Sequence, residues 1–270
     1  MDFLMVAILG LVQGMTEFLP ISSSGHLILV REIFGDDQIT QGLAFDAVLH
    51  LATTGAILLY FSKDIGRLLQ TMLRALGRLP VDARDKTLAV SLVVGTIPAV
   101  ILGFFLENLM ESTLRNPLIV AGALVVGSGI FAFAEYVYAY KNKQAPLTPL
   151  TGFKIGLLQC LALIPGMSRS GVTIAGGLIF GLTRYEAARF AFLLAIPVML
   201  GAGAKKALEL LTSSVQVDWA LVGVGAVVSF LVGLGAIHFM MNFISKYSLW
   251  PFIWYRILLA IFVVALVFLN

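Results

Sequence analysis

Gln13-Gly14-Met15-Thr16-Glu17-Phe18-Leu19-Pro20-Ile21-Ser22-Ser23-Ser24-Gly25-His26 interrupts an apolar N-terminal region. A carboxylate, three consecutive serines and a histidine are costly where lipid is the solvent. A charged centre inside a membrane segment costs roughly 2.5–3.5 kcal/mol on insertion scales. Pro20 and Gly25 break the stretch, and broken backbone at membrane depth survives only where protein or a water-filled cavity surrounds it. The stretch therefore reads as a site built into a membrane protein.

The composition agrees. Of 270 residues, 59% are hydrophobic and only 12% charged, with a mean hydropathy of +0.97. That excludes a soluble domain of this size and implies a polytopic α-helical membrane protein. The apolar runs are continuous rather than alternating, which argues against a β-barrel. Met1-Asp2-Phe3 lacks a basic n-region, and no small-residue cleavage site follows, so the first segment is expected to be retained. Cys160 is the single cysteine, so no intrachain disulfide forms. No nucleic-acid partner is expected.

Six segments are long enough to span a bilayer, at about 43–61, 88–107, 117–139, 187–204, 219–241 and 249–269. Residues 3–30 and 153–182 are also apolar, but each is interrupted halfway and neither half can span. Both read as re-entrant helical hairpins. They resemble each other: Gly10-Leu11-Val12-Gln13 matches Gly156-Leu157-Leu158-Gln159, and Leu19-Pro20 with Ser22-Ser23-Ser24-Gly25 matches Ile164-Pro165 with Ser168-Arg169-Ser170-Gly171. The expected fold is an all-α integral membrane protein of six transmembrane helices plus two re-entrant helical hairpins, arranged as an inverted repeat. It forms a single membrane domain over residues 1–270, with halves at about 1–140 and 152–270, and such repeats place polar sites near the midplane. Ile97-Pro98-Ala99-Val100 also resembles Ile196-Pro197-Val198-Met199, although the two lie in non-corresponding spans of that repeat.

The basic residues set the orientation. Lys63, Arg67, Arg74, Arg78, Arg84, Lys86, Lys141, Lys143, Lys154, Arg184 and Lys246 fall on one face, against Arg31, Arg115, Lys205 and Lys206 on the other. The richer face is expected to be cytoplasmic. Both termini then lie outside, the first hairpin opens outward and the second inward, and their tips are expected to meet within the membrane.

At those tips, Gln13 and Glu17 are four apart and share a helix face. The turn at Pro20 is expected to return Ser23 and His26 toward that face, while the second tip supplies Ser168, Arg169, Ser170 and Thr173. A guanidinium fork fits phosphate oxygens, and glycines beside serines let backbone N–H groups face an anion. Glu17 beside a phosphate would repel it unless a divalent cation, Mg²⁺ or Ca²⁺, lay between. His26 titrates in the right range for proton transfer.

Gln13-x-x-x-Glu17 followed by Pro20 to His26, and later Pro165-Gly166-Met167-Ser168-Arg169-Ser170-Gly171-Val172-Thr173, resemble the two signatures of the bacterial undecaprenyl pyrophosphate phosphatase family. Gln13 fits a position where that family takes Glu or Gln. The resemblance extends over the whole chain in length and span order. It implies hydrolysis of undecaprenyl pyrophosphate to undecaprenyl phosphate and inorganic phosphate, which recycles a lipid carrier of cell-wall synthesis. It also implies dependence on a divalent cation and a bacterial inner-membrane enzyme whose site opens to the periplasm or exterior. On this reading Glu17 (also the metal ligand), Ser23, His26 and Arg169 are catalytic. Gln13, Ser22, Ser24, Gly25, Ser168, Ser170 and Thr173 bind substrate. Either Ser23 is the nucleophile with His26 as base, or Ser23 donates a hydrogen bond while His26 activates water. The partners expected are a polyprenyl pyrophosphate lipid and the bilayer. A homodimer is compatible with the chain, whose oligomeric state the sequence leaves open.

Ser24-Gly25-His26 and Ser168-Arg169 are also similar to motifs of acid-phosphatase-like lipid phosphatases. Those enzymes need a further histidine after the Ser-Arg, where this chain has Ala175, and no histidine occurs between Ser168 and His238. A rival class is a lipid-phosphate transporter or flippase using the same anion site. Among other polar residues, Asp46 and His50 share a helix face near the outer end of a span, where they either line the mouth of the site or sit at the interface with no function. Glu135 reads as snorkelling or paired, and Gln159 as an interhelical hydrogen-bonding residue. Arg256 reads as an interface anchor in preference to a second phosphate contact. The Arg-rich stretch 63–86 reads as a loop contacting anionic lipid head groups.

Overall fold

The computed structural model describes residues 3–34, 43–112, 114, 116–140, 144–212 and 218–269, whose regular structure is helical with no strand among them. Arg115, Lys141 and Lys143, used above for orientation, lie outside the described residues. In chain order the helices are α1 (Phe3–Phe18), α2 (Ser23–Phe34), α3 (Leu43–Tyr60), α4 (Ser62–Leu76), α5 (Ala83–Ser112), α6 (Pro117–Tyr140), α7 (Pro149–Gln159), α8 (Arg169–Ile179), α9 (Arg184–Thr212), α10 (Trp219–Ile244) and α11 (Trp250–Leu269). Five of them, α5, α6, α9, α10 and α11, are long and apolar enough to cross a membrane, and α3 with α4, bent by 79°, makes a sixth where that pair counts as one.

The two breaks fall where the sequence places them. Pro20 disfavours helical backbone in the residue before it, and α1 stops at Phe18. Ser22 then takes a left-handed φ of 76°, and α2 begins at once with Ser23. The second hairpin starts with Thr148 capping α7, its hydroxyl accepting from the Thr151 N–H, and with Pro149 in the first turn. A 3₁₀ turn over Cys160–Leu163 leads into the break. Gly166 has φ 100° and Ser168 φ 68°, and the Ser168 hydroxyl caps α8 by accepting from the Gly171 N–H at 3.3 Å. A left-handed φ at a serine is uncommon, so two of them, one at each break, mark places where the surroundings over-determine the backbone.

Small residues let the broken elements sit close to full spans. α1 packs along α10 and α7 along α5. A Cβ on Gly10 would fall 2.5 Å from the Gly225 carbonyl oxygen, and one on Gly156 would strike the Gly95 carbonyl. Backbone-to-backbone approach of this kind is how helices associate where lipid removes the hydrophobic drive.

One expected loop is a helix. Residues Ser62–Leu76 form α4, because Ile65, Leu68, Leu69, Met72, Leu73 and Leu76 recur at helical spacing among Lys63, Arg67 and Arg74. Asp64 ties it to α9 through Arg189 at 2.8 Å. At the same end of the bundle, Arg184 donates two bonds to Glu135, at 2.6 and 2.5 Å, and the Leu249 N–H donates a third at 2.7 Å. Glu135 is thus paired.

Candidate active site

The breaks of the two hairpins touch. Arg169, the first residue of α8, donates to Glu17 Oε1 near the end of α1. Beside this pair the Ser170 hydroxyl donates to the Leu19 carbonyl at 3.1 Å. The other carboxylate oxygen, Oε2, accepts from the Ser23 hydroxyl at 2.8 Å and from Gln13 Nε2 at 2.9 Å. Glu17 is 7% exposed. A carboxylate buried so deeply stays charged only with such partners.

Glu17, Arg169, Ser22, Ser23, Ser24 and Ser168 all lie on the wall of a cavity of about 580 Å³. Away from them the wall is mostly apolar, contributed by residues such as Leu27, Ile28, Ala99, Val100, Phe104 and Met199, with Thr16, Asp46, His50, Gln159 and Lys205 as further polar members. An apolar chamber with a few convergent polar groups is the usual form of a ligand site. Ala99 and Val100 of α5, and Pro197 to Met199 of α9, belong to the two similar Ile-Pro segments, and both line this one chamber.

Several expected site residues stand behind the wall. Gln13 is fully buried next to Glu17. The Thr173 hydroxyl donates to the carbonyls of Arg169 and Ser170 on its own helix, at 2.7 and 3.1 Å. The Ser170 hydroxyl is engaged by Leu19, and a side chain on Gly25 would point at Val120. These four shape the breaks rather than face the chamber.

The turn at Pro20 returns Ser23 to the Glu17 face, but it does not return His26. The His26 ring reaches back one helical turn, placing Nδ1 2.7 Å from the Ser22 carbonyl oxygen and Nε2 2.7 Å from the Tyr255 hydroxyl. The imidazole beside Glu17 belongs instead to His50, whose Nδ1 is 3.3 Å from Glu17 Oε2 and 3.1 Å from Gln13 Nε2. Asp46 and His50 both line the chamber, as their shared helix face allows, and His50 reaches further, to the carboxylate. Gln159 also differs from expectation. It is 2% exposed, lines the chamber, and among the described residues neither its amide oxygen nor its nitrogen has a hydrogen-bond partner. Its signal in the sequence is the match of Gly156 to Gln159 with Gly10 to Gln13.

Nor is Arg256 an interface anchor. It is 0% exposed, and its guanidinium donates to the carbonyls of Ala123, Leu124 and Gly166 and to the Ser128 hydroxyl, at 3.3, 3.1, 3.0 and 3.2 Å. Among the described residues no group of three or more His, Cys, Asp or Glu could hold a metal ion. Against Glu17 stand the Ser23 hydroxyl, the Gln13 amide nitrogen, the Arg169 guanidinium and the His50 ring, so a hard cation would have to complete its shell from ligand oxygens. One carboxylate and one serine hydroxyl among the described residues do not by themselves make a resident metal site.

Fold and site together define a multi-pass helical membrane protein whose two broken helices converge on a buried carboxylate–guanidinium pair beside a largely apolar chamber. The chain belongs to the bacitracin resistance protein BacA family, whose model matches residues 6–262. It is 42% identical over 268 residues to an undecaprenyl-diphosphatase of Saccharophagus degradans, covering 99% of each chain. It is 43% identical over 269 residues to the undecaprenyl-diphosphatase of Trichlorobacter lovleyi, covering 98% of this chain and 97% of the relative. Against that of Rubrobacter xylanophilus it is 40% identical over 271 residues, covering 100% of both.

Proposed function

We propose that this chain hydrolyses undecaprenyl pyrophosphate to undecaprenyl phosphate and inorganic phosphate, recycling the lipid carrier of cell-wall synthesis. The observation that carries the reading is the Arg169–Glu17–Ser23 cluster on the wall of a chamber otherwise suited to a prenyl chain. The names of relatives that align over nearly the whole chain support it. The pyrophosphate lies against Arg169, Ser22, Ser24 and Ser168, and the unpartnered Gln159 amide supplies a further donor. Ser23 Oγ attacks the terminal phosphorus and its proton passes to Glu17, which already accepts it at 2.8 Å. The bond to the bridging oxygen breaks and undecaprenyl phosphate leaves with the proton from Glu17. Glu17 then takes a proton from the attacking water, the bond from Ser23 Oγ to phosphorus breaks, and that proton passes to Ser23 Oγ as phosphate departs. Arg169 turns from Glu17 to the transferring group as charge builds on its oxygens. Glu17 would hold a divalent cation, Mg²⁺ or Ca²⁺, which when bound would supply charge neutralisation for the pyrophosphate.

We further propose one membrane domain of two inverted halves, about 1–140 and 152–270. Its six spans are α3, α5, α6, α9, α10 and α11, and its re-entrant hairpins are α1–α2 and α7–α8. The crossed packing supports this: α1 lies on the second span of the other half, and α7 does the same. The basic bias supports a site that opens toward the outside of the bacterial inner membrane. In a Cys160→Ala background, cysteine at Asp218 is expected to react with an impermeant thiol reagent added to intact cells, and cysteine at Arg78 is not. The reverse pattern would invert the orientation.

Purified protein in detergent, given undecaprenyl pyrophosphate, is expected to release inorganic phosphate. Chelation is expected to stop release, and Mg²⁺ or Ca²⁺ to restore it. No gradient exists in detergent, so an absence of release would overturn hydrolysis in favour of transport.

A further inference from the structure

Both helix breaks lean on the same place in α11. At the first break, the carbonyl of Ser22, whose φ is 76°, faces the His26 ring. A carbonyl oxygen only accepts, so Nδ1 carries the proton, and in the neutral ring Nε2 accepts from the Tyr255 hydroxyl. The two rings are parallel, with centroids 5.6 Å apart and 4° between planes. At the second break, the next residue, Arg256, donates directly to the carbonyl of Gly166, two residues before the left-handed Ser168. Its other bonds go to Ala123, Leu124 and Ser128 of α6, and its guanidinium lies over the Phe131 ring at 4.7 Å. Among the described residues no carboxylate is paired with it in an ion pair. A buried guanidinium without a counter-ion is costly, and here its hydrogen bonds go chiefly to backbone carbonyls.

We propose that Tyr255 and Arg256 are positioning residues that brace the two breaks from one turn of α11, fixing Ser23 against Glu17 and Arg169 against the same carboxylate. Tyr255 acts on the first break through His26, and Arg256 acts on the second break itself. Neither is among the residues lining the chamber. The left-handed serines each cost energy that nearby contacts must offset. Holding the adjacent carbonyls is what keeps the nucleophile and the guanidinium aimed before substrate arrives. His26 on this account positions Ser22 and takes no proton from Ser23.

The kinetic arm of the test rests on the phosphatase reading, and the exchange arm does not. Tyr255→Phe removes one hydroxyl and keeps the ring stack. It is expected to lower kcat about tenfold with KM within about twofold and to leave the thermal midpoint in detergent unchanged. Because Tyr255 works through His26, Tyr255→Phe with His26→Ala should be no slower than His26→Ala alone. Arg256→Lys, which keeps the charge and loses the fork, should lower kcat about a hundredfold. Hydrogen exchange on the full chain in micelles should quicken over residues 19–27 in Tyr255→Phe and over 164–171 in Arg256→Lys, each without the other. Unchanged exchange at the first break in Tyr255→Phe, or losses of Tyr255→Phe and His26→Ala that multiply, would overturn the brace. A wild-type protein that releases no phosphate would sink the phosphatase reading, and the exchange arm would still decide the brace.

Discussion

Arg169→Lys is expected to lower kcat for phosphate release about a thousandfold, close to the loss in Arg169→Ala, with the protein still folded and monodisperse. A thousandfold is about 4 kcal/mol of transition-state stabilisation, within the range for a guanidinium that meets a transferring phosphoryl group. Arg169 is the first residue of α8, set by the cap of Ser168 behind it, and its head group lies on Glu17 at the chamber wall. Lysine at that position keeps a charge but cannot bridge two oxygens in one plane. The structural alternative is that Arg169 only neutralises Glu17. In that case lysine, which also pairs with a carboxylate, would retain near-normal rates. Initial rates on both variants, with thermal midpoints measured alongside, separate the two. Near-normal kinetics in Arg169→Lys would end the clamp role.

Why this pair was legible in the sequence, and its surroundings were not, comes down to energy against geometry. Glu17 and Arg169 announce themselves because charge in an apolar segment is costly enough to demand a partner, and the chain offers few. The breaks at Pro20 and Pro165 are equally plain, since proline and glycine act locally. What faces a helix across the bundle is set by rotation and tilt, which depend on every neighbour. His26 follows Ser23 by three residues, about 60° round the helix at 3.6 residues per turn. That offset is enough to send Ser23 to Glu17 and His26 to α11. His50 looked like a rim residue because nothing in α3 states which partner it turns toward. Arg256 looked like an anchor because its partners are backbone carbonyls, which leave no mark in the sequence. α4 differs for another reason: its apolar stripe has helical spacing, but Lys63, Arg67 and Arg74 among it suit a solvated loop equally well.

Ser23→Ala and Glu17→Gln are each expected to cost about three orders of magnitude in kcat, and the double variant should be little slower than the slower single one. Groups that serve one step lose it together, so their effects do not multiply. The geometry motivates the pairing, because the Ser23 hydroxyl donates to Glu17 Oε2 at 2.8 Å and the His26 ring is occupied by Ser22 and Tyr255. Added Mg²⁺ or Ca²⁺ should not restore Glu17→Gln, since the amide gives up both the proton acceptor and the negative ligand oxygen. If Ser23 is the nucleophile, rapid quench with substrate labelled in its terminal phosphate should trap an acid-stable phosphoryl group on Ser23. If water attacks directly and Ser23 only orients a phosphate oxygen, no label will be trapped and Ser23→Ala will keep a tenth or more of the rate. That residual rate would still fall with Glu17→Gln, because the carboxylate would then accept its proton from water. Full activity in Glu17→Gln with unchanged metal dependence would remove both routes, since each depends on one carboxylate held where the two breaks meet.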